Sequence, residues 1–236
     1  MASGTNRLIE ALSPTLRSQV LSIARPIELP QHTTLFEPEK WPPFLYFLTS
    51  GVASVAVTVP NGGSAEIAIL GSEGMIGSIG LLGSHPPVSR CFMQTPGTAL
   101  RVPRAEMRRM FDNSVELRER VLQSIQQQAL TLDQIAACNK LHHASERLSR
   151  WLLTAADRLG EDVVQLTQES LSQMLGTRRT TVALVAGTLQ RAGMISYRRG
   201  VVRIVNRPRM EDAACDCYRI TRRLLQNLYD EPAPRV

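Results

Sequence analysis

The sequence predicts an α+β chain in three parts: an antiparallel β-roll or jelly roll over residues 1–112, one long helix over 113–139, and a small helical domain with a β-hairpin over 140–236. Three observations predict it. From Thr33 to Val102, Val, Ile, Thr and aromatic residues are broken repeatedly by turn residues. Beyond Pro103, apolar residues recur at an a/d-type spacing. In Leu166–Gly200 two short amphipathic helices meet at a glycine turn and two β-like runs follow.

Taken in order, Leu8, Ile9, Leu12, Leu16, Val20, Leu21 and Ile23 indicate short N-terminal helices, with Pro14 suited to a first helical position. The β region is punctuated at Glu37-Pro38, Trp41-Pro42-Pro43, Asn61-Gly62-Gly63, His85-Pro86-Pro87 and Pro96-Gly97; FLYFLTSGVASVAVTVPNGGSAEIAIL reads as three strands, the Asn-Gly-Gly closing a hairpin. In the long helix Val115, Leu122, Ile125, Ala129, Leu132 and Ala136 form a seam broken only by Arg118, and Leu117, Val121 and Ile135 form a second line beside it. Two apolar lines call for two partners, so a second copy of the chain is expected on Leu122, Ile125, Ala129, Leu132 and Ala136. Burial of the whole helix within one chain is the alternative.

In LTQESLSQMLGTRRTTVALVAGTLQRAGMISYRRG, Thr167 is a good N-cap, Leu171, Met174 and Leu175 make one apolar face, and Gly176 supplies the left-handed stop. Thr177 is expected to cap the next helix, whose stripe is Val182, Val185, Ala186 and Leu189 and which Gly193 ends. MISY and VVRIV, joined through Arg198-Arg199-Gly200, read as a hairpin wing. With 100° per residue, Thr180, Leu184, Gly187 and Arg191 point away from the stripe and Arg179 lies on its flank. An exposed first turn with Arg, Thr and free backbone N–H groups suits phosphates and base edges in a DNA major groove.

Charge points the same way. Residues 1–139 hold 11 Arg or Lys against 11 Asp or Glu, and 140–236 hold 16 against 10, so the whole net charge of +6 lies in the second part, where a polyanion partner is expected. No apolar run reaches the roughly 18 residues of a membrane span, and MASGTNRLIEALSP lacks a signal-peptide layout, so a cytoplasmic protein is expected. Four scattered cysteines, Cys91, Cys138, Cys215 and Cys217, suggest neither a disulfide framework nor a four-cysteine zinc site. The tail around Cys215 and Cys217 reads as helical, where residues two apart diverge by roughly 200°, so a shared metal or a disulfide is not expected and one cysteine is read as packing. His142 and His143 are read as linker residues. No nucleophile elbow, Walker loop or helical metal-ligand pair appears, Gly71-Ser72-Glu73-Gly74 reads as a turn, and an enzyme is not expected.

The segment LTQESLSQMLGTRRTTVALVAGTLQRAGMI, with ACNKLHHASERLSRWLL from Ala137 and CDCYRI from Cys215, resembles the Crp/Fnr-type transcription regulators, and the likeness runs over nearly the whole chain. GMIGSIGLLG is similar to that family's nucleotide phosphate-binding segment. The resemblance implies a cyclic-nucleotide-binding-like sensor domain, a dimerisation helix and a winged helix-turn-helix, hence a bacterial homodimer that regulates transcription by binding an inverted repeat in double-stranded DNA, with RNA polymerase as a further partner. It places base contacts at Arg179, Thr180 and Leu184, where a cyclic AMP-responsive relative has Arg, Glu and Arg. Backbone contacts are expected from Thr167, Thr177, Arg178, Thr181, Arg198, Arg199 and Arg203.

The departures concern the effector. Gly77, Ser78, Ile79, Ser89 and Arg90 form the candidate pocket, but Ser78 stands where cyclic AMP-responsive members have Glu, and Val88-Ser89 where they have Arg-Ser. A buried phosphate without its cation is costly, and Arg90 lies two strand positions, roughly 7 Å, from the matching site. Tight cyclic nucleotide binding is therefore not expected. With no cysteine before Cys91, an iron–sulfur cluster of the oxygen-sensing branch is not expected, and His32 and His85 lack a haem motif. No cofactor or metal is assigned. The β-roll either senses an unidentified signal or serves as a platform; the alternative from another class is a ligand-binding regulatory subunit that does not act on DNA.

Overall fold

The computed structural model describes residues 4–60, 63–83 and 85–229. The chain divides into two compact units, one of 1–55, 69–130 and 224–236, the other of 56–68 and 131–223.

In the first unit, Asn6 caps α1 (Arg7–Glu10) by accepting from Leu8 N at 3.2 Å. The Asn6 side chain is buried, and its Nδ2 donates to the carbonyls of Leu48 at 3.0 Å and Gly74 at 2.9 Å, tying the start of α1 to the end of the Phe44–Leu48 strand and to the Gly71–Gly74 turn. Pro14 opens α2 (Pro14–Ile23), where its missing N–H costs nothing. The strands are β1 (Arg25–Leu29), β2 (Thr34–Phe36), β3 (Phe44–Leu48), β4 (Ala53–Thr58), β5 (Ser64–Leu70), β6 (Arg90–Met93) and β7 (Gly97–Pro103), of which 56–58 in β4 and 64–68 in β5 belong to the second unit. They form two sheets, ordered β1-β7-β3 and β2-β6-β4-β5, and the register-resolved pairs are antiparallel. The predicted strands β3, β4 and β5 are present; part of the turn predicted at Asn61-Gly62-Gly63 lies outside the described residues. β1 is an addition to the predicted set, and its Pro26 is tolerated because the strand sits at a sheet edge. The core joins the N-terminal helices to the β1-β7-β3 sheet through Leu8, Leu16, Val20, Leu45, Phe47 and Val102.

The sheet leads into α3 (Arg104–Asn113), and Ser114 leaves the helical conformation before α4 (Val115–Leu141) begins. The helix expected over 113–139 therefore starts later, with Asn113 in the preceding helix. Arg118 explains the gap in the seam: its Nη1 donates to the carbonyls of Phe111 and Asp112, both at 3.1 Å, and so caps α3. Along α4, Leu117 and Val121 are buried in the first unit's core and Ile125 packs against it, while Leu122 is 44% exposed and Leu132 36%. The last part of α4 belongs to the second unit.

That unit holds α5 (Ala144–Leu159), β8 (Val163–Gln165), α6 (Gln168–Leu175), α7 (Arg179–Arg191), β9 (Ile195–Arg198), β10 (Val201–Ile204), α8 (Arg207–Asp212) and most of α9 (Cys217–Gln226). His143 stands at the N-cap of α5, its N–H donating to Glu146 Oε2 at 2.7 Å. Leu148, Trp151 and Leu152 of α5 and Val182, Ala186 and Leu189 of α7 are buried, which fixes the face α7 turns away from the core. Arg207 gathers the C-terminal half: it pairs with Asp157, with Asp162 at 2.9 Å and with Glu211 at 3.1 Å, and donates to the Tyr218 hydroxyl at 3.1 Å.

Candidate nucleic-acid interface

The helix pair is built as its residues require. Thr167 caps α6, its Oγ1 accepting from Ser170 N at 3.1 Å. Gly176 ends α6 at a φ of 57°, and Thr177 N donates to the Ser172 carbonyl at 3.1 Å, the six-to-one bond of a left-handed helix stop. Thr177 does not cap α7, as the sequence suggested. The N-cap is Arg178, and the Thr177 hydroxyl is buried without a hydrogen-bond partner, so it is not free to meet a phosphate. One extra residue in the turn moves the helix start and turns that side chain inward.

The exposed first turn of α7 carries Arg179 and Thr180, with Leu184, 67% exposed, one turn on and Arg191 at the far end of the same face. Thr181 is half-buried beside the Val182 stripe. The Arg179 guanidinium is held by Glu169 of α6 in an exposed ion pair, a partner that periodicity could not foresee because it lies on the other helix. In the wing, β9 and β10 pair antiparallel, and the two turn residues Arg199 and Gly200 adopt φ of 49° and 77°. Two successive positive φ angles make the tight primed turn that matches strand twist, and they force Arg199 outward. Arg198, Arg199 and Arg203 are exposed. A groove of about 410 Å³ lined by Thr167, Tyr197, Arg199 and Gly200 joins the start of α6 to the wing. β8 adds a third strand on β10, through Val201↔Gln165 to Arg203↔Val163, and stiffens the wing's base.

In the β-roll, Gly77 adopts a φ of 85° where a Cβ would meet Leu45 Cδ2 at 2.8 Å; Ser78 is buried at the start of a 3-10 turn over Ser78–Leu81, and Ile79 is exposed. Ser89 is half-buried, next to Val88, which is 76% exposed. Arg90 is occupied elsewhere: it pairs with Glu37 at 3.6 Å, donates to Thr34 Oγ1 at 3.1 Å and lies over the Phe92 ring at 5.1 Å. In the Gly71–Gly74 turn the carboxylate of Glu73 accepts from Gly71 N at 2.9 Å, so the turn is filled by its own acid and is no phosphate cradle.

The cysteines of the second unit are placed together, against expectation. Cys215 lies in the turn ahead of α9 and Cys217 is its first residue, so the pair is not spaced along a helix and the divergence argument fails. Cys215 Sγ is 3.4 Å from Cys138 Sγ, Cys217 Sγ is 3.6 Å from His142 Nδ1, and the ligand atoms of all four lie within 4.8 Å of one another. His142 is thus part of a cluster, not a plain linker residue. The hydrogen bond with the Cys215 thiol holds Cys138 down, to about 4, and pushes Cys215 up in turn; burial raises Cys217. Cys91 is buried apart from them, which raises its thiol.

The sequence matches the cyclic nucleotide-binding domain over residues 26–114 and the Crp-like helix-turn-helix domain over 146–213. The chain thus carries a cyclic nucleotide-binding domain followed by a Crp-like helix-turn-helix domain, the domain order of the Crp/Fnr-type regulators it resembles. Its fold agrees. FixK2 from Bradyrhizobium japonicum is 14% identical with a TM-score of 0.70, covering 82% of this chain and 98% of its own. The c-di-GMP-responsive global regulator CLP from Xanthomonas campestris is 17% identical with a TM-score of 0.67, covering 82% and 100%. A CRP-family transcriptional regulator from Thermus thermophilus is 18% identical with a TM-score of 0.68, covering 80% and 96%. No curated protein matches the sequence. The matched helix-turn-helix is a DNA-binding type of domain, and no helix among the described residues is long and apolar enough to cross a membrane.

Proposed function

We propose that this Crp/Fnr-type chain is a homodimeric transcription regulator that binds an inverted-repeat operator and does so without cyclic AMP. The observation that carries the reading is the outward face of α7, with Arg179 and Thr180 in its first turn and Leu184 one turn on, while Val182, Ala186 and Leu189 anchor the helix. Arg179 donates to O6 and N7 of a guanine in each half-site; Thr180 and Leu184 offer methyl contact to thymine. Thr167, Arg178, Thr181 and the wing arginines Arg198, Arg199 and Arg203 meet phosphates and fix the register. Dimerisation uses the outward line of α4, because exposed Leu122 and Leu132, with Ala129 and Ala136 between and beyond them, are otherwise wetted. Ile125, half-buried against its own core, completes that line from the side.

Independence from cyclic AMP rests on the Gly77–Ile79 segment and Ser89–Arg90. A buried Ser78 supplies no carboxylate for a ribose, and Arg90 would have to leave Glu37, Thr34 and Phe92 to neutralise a phosphate. Selection of bound duplexes from random DNA, with full-length protein and no added nucleotide, tests the proposal. It should return an inverted repeat with a guanine in each half-site and half-sites one helical turn, roughly 34 Å, apart. Retention of no duplex at any salt concentration would overturn it in favour of a regulatory subunit that does not act on DNA.

A further inference from the structure

We propose that Cys138, His142, Cys215 and Cys217 form a four-coordinate site for a single zinc-class divalent metal ion. The ligand set comes from two segments. Cys138 near the end of α4 and His142 just past it are four residues apart and so lie on one helical face, and the Cys-Asp-Cys turn at the head of α9 supplies the other two. Tetrahedral zinc, with Zn–S of about 2.3 Å and Zn–N of about 2.0–2.1 Å, requires S···S edges of roughly 3.8 Å and S···N edges of roughly 3.6 Å. The Cys217–His142 separation of 3.6 Å matches the S···N edge, the Cys138–Cys215 separation of 3.4 Å lies inside the S···S edge and would open slightly around an ion, and the limit of 4.8 Å on all pairs leaves room for one ion and not for a polynuclear cluster, whose irons each take their own thiolate.

The surroundings match an ion rather than a disulfide. A bond between Cys138 and Cys215 would use two sulfurs and leave Cys217 and His142 converging on nothing. Gln134 Nε2 donates to Cys217 Sγ at 3.1 Å, the kind of outer contact that orients a thiolate ligand. Three thiolates and a neutral imidazole around a divalent ion carry one net negative charge, and Arg150 is a buried cation whose field reaches both Cys138 and Cys215 and whose Nε has no hydrogen-bond acceptor. The thiol protons pass to solvent as the ion binds, and no electron moves. Three cysteines with one histidine form a closed structural set, which leaves no open position for catalysis. The ion would fasten the end of α4 to the segment that opens α9.

The test uses full-length protein purified under reducing conditions without chelator. Elemental analysis should find one zinc per protomer, and after chelation Co²⁺ should restore the visible bands of tetrahedral thiolate coordination. Cys138→Ser, His142→Ala and Cys217→Ser should each lose the ion, and Cys91→Ser should retain it. Gln134→Leu, which removes no ligand, should weaken zinc binding by roughly 10- to 100-fold. Because a ligand variant could fail by misfolding, the cobalt spectrum of the wild-type protein decides: absence of the bands, iron with labile sulfide, or a Cys138–Cys215 disulfide in the protein as isolated would each overturn the site. Metal content is read without DNA, so this result stands apart from that of the operator selection.

Discussion

Glu169→Gln should tighten operator binding, although it removes a charged residue from the helix pair. In the free protein the Glu169 carboxylate holds the Arg179 guanidinium, and the pair is partly open to water, with Glu169 at 45% and Arg179 at 66% exposure. A guanine must displace that carboxylate. An exposed ion pair is worth about 0.2–1 kcal/mol, and a dimer breaks two, so the penalty is about 0.4–2 kcal/mol, or roughly 2- to 30-fold in Kd. Gln keeps the volume and removes the competitor. It also removes a negative charge from the first turn of α6, which lowers stability by about 0.3–1 kcal/mol without touching the contact surface. Fluorescence anisotropy with a labelled operator over a range of salt measures the gain, and the same change in an Arg179→Ala background isolates the part that acts through Arg179. If Glu169→Gln instead weakens binding and alters base preference, the carboxylate itself accepts from a cytosine amine, and Arg179 is not the reader.

Arg207→Ala should destabilise the second unit by about 2–3 kcal/mol, since hydrogen bonds to charged groups are worth about 1.5–3 kcal/mol each and partial exposure discounts four such partners. Urea unfolding measures it, and a loss under about 0.5 kcal/mol would remove Arg207 as the hub. Leu122→Glu with Leu132→Glu should give monomers by analytical ultracentrifugation and abolish operator binding; a monomeric wild type at micromolar concentration would defeat the seam. Calorimetry should find no micromolar binding of cyclic AMP or cyclic GMP, and such binding would mean that Arg90 leaves Glu37 for the ligand.

The parts of the fold that follow from local rules were legible in the sequence. Thr167, Gly176 and the Val182–Leu189 stripe act within one or two turns of themselves, and the wing follows from Arg199-Gly200 taking two positive φ angles. The misses need the tertiary structure. β1 and β8 are short, β1 carries charge and a proline, β8 is only three residues long, and both become strands by pairing with β7 and β10. The Ser114 break is set by Arg118 reaching back to α3, and the Arg179–Glu169 pair joins two helices. The cysteine cluster was hidden for a plainer reason. Reading the tail as one helix separated Cys215 from Cys217, whereas the helix starts at Cys217, and nothing local in the sequence shows that Cys138 and His142 lie opposite.

The central claim is that α7 reads bases and the wing holds phosphates. Competition binding across duplexes carrying each base at each half-site position, for wild type, Arg179→Ala and an Arg198, Arg199, Arg203 triple alanine variant, tests it most directly. Arg179→Ala should cost about 1–3 kcal/mol per contact and lose the preference for guanine at one position of each half-site. The wing variant should weaken all duplexes about equally and flatten the salt dependence. An unchanged guanine preference in Arg179→Ala, with altered preference in the wing variant, would contradict the assignment of Arg179–Arg191 as the recognition helix.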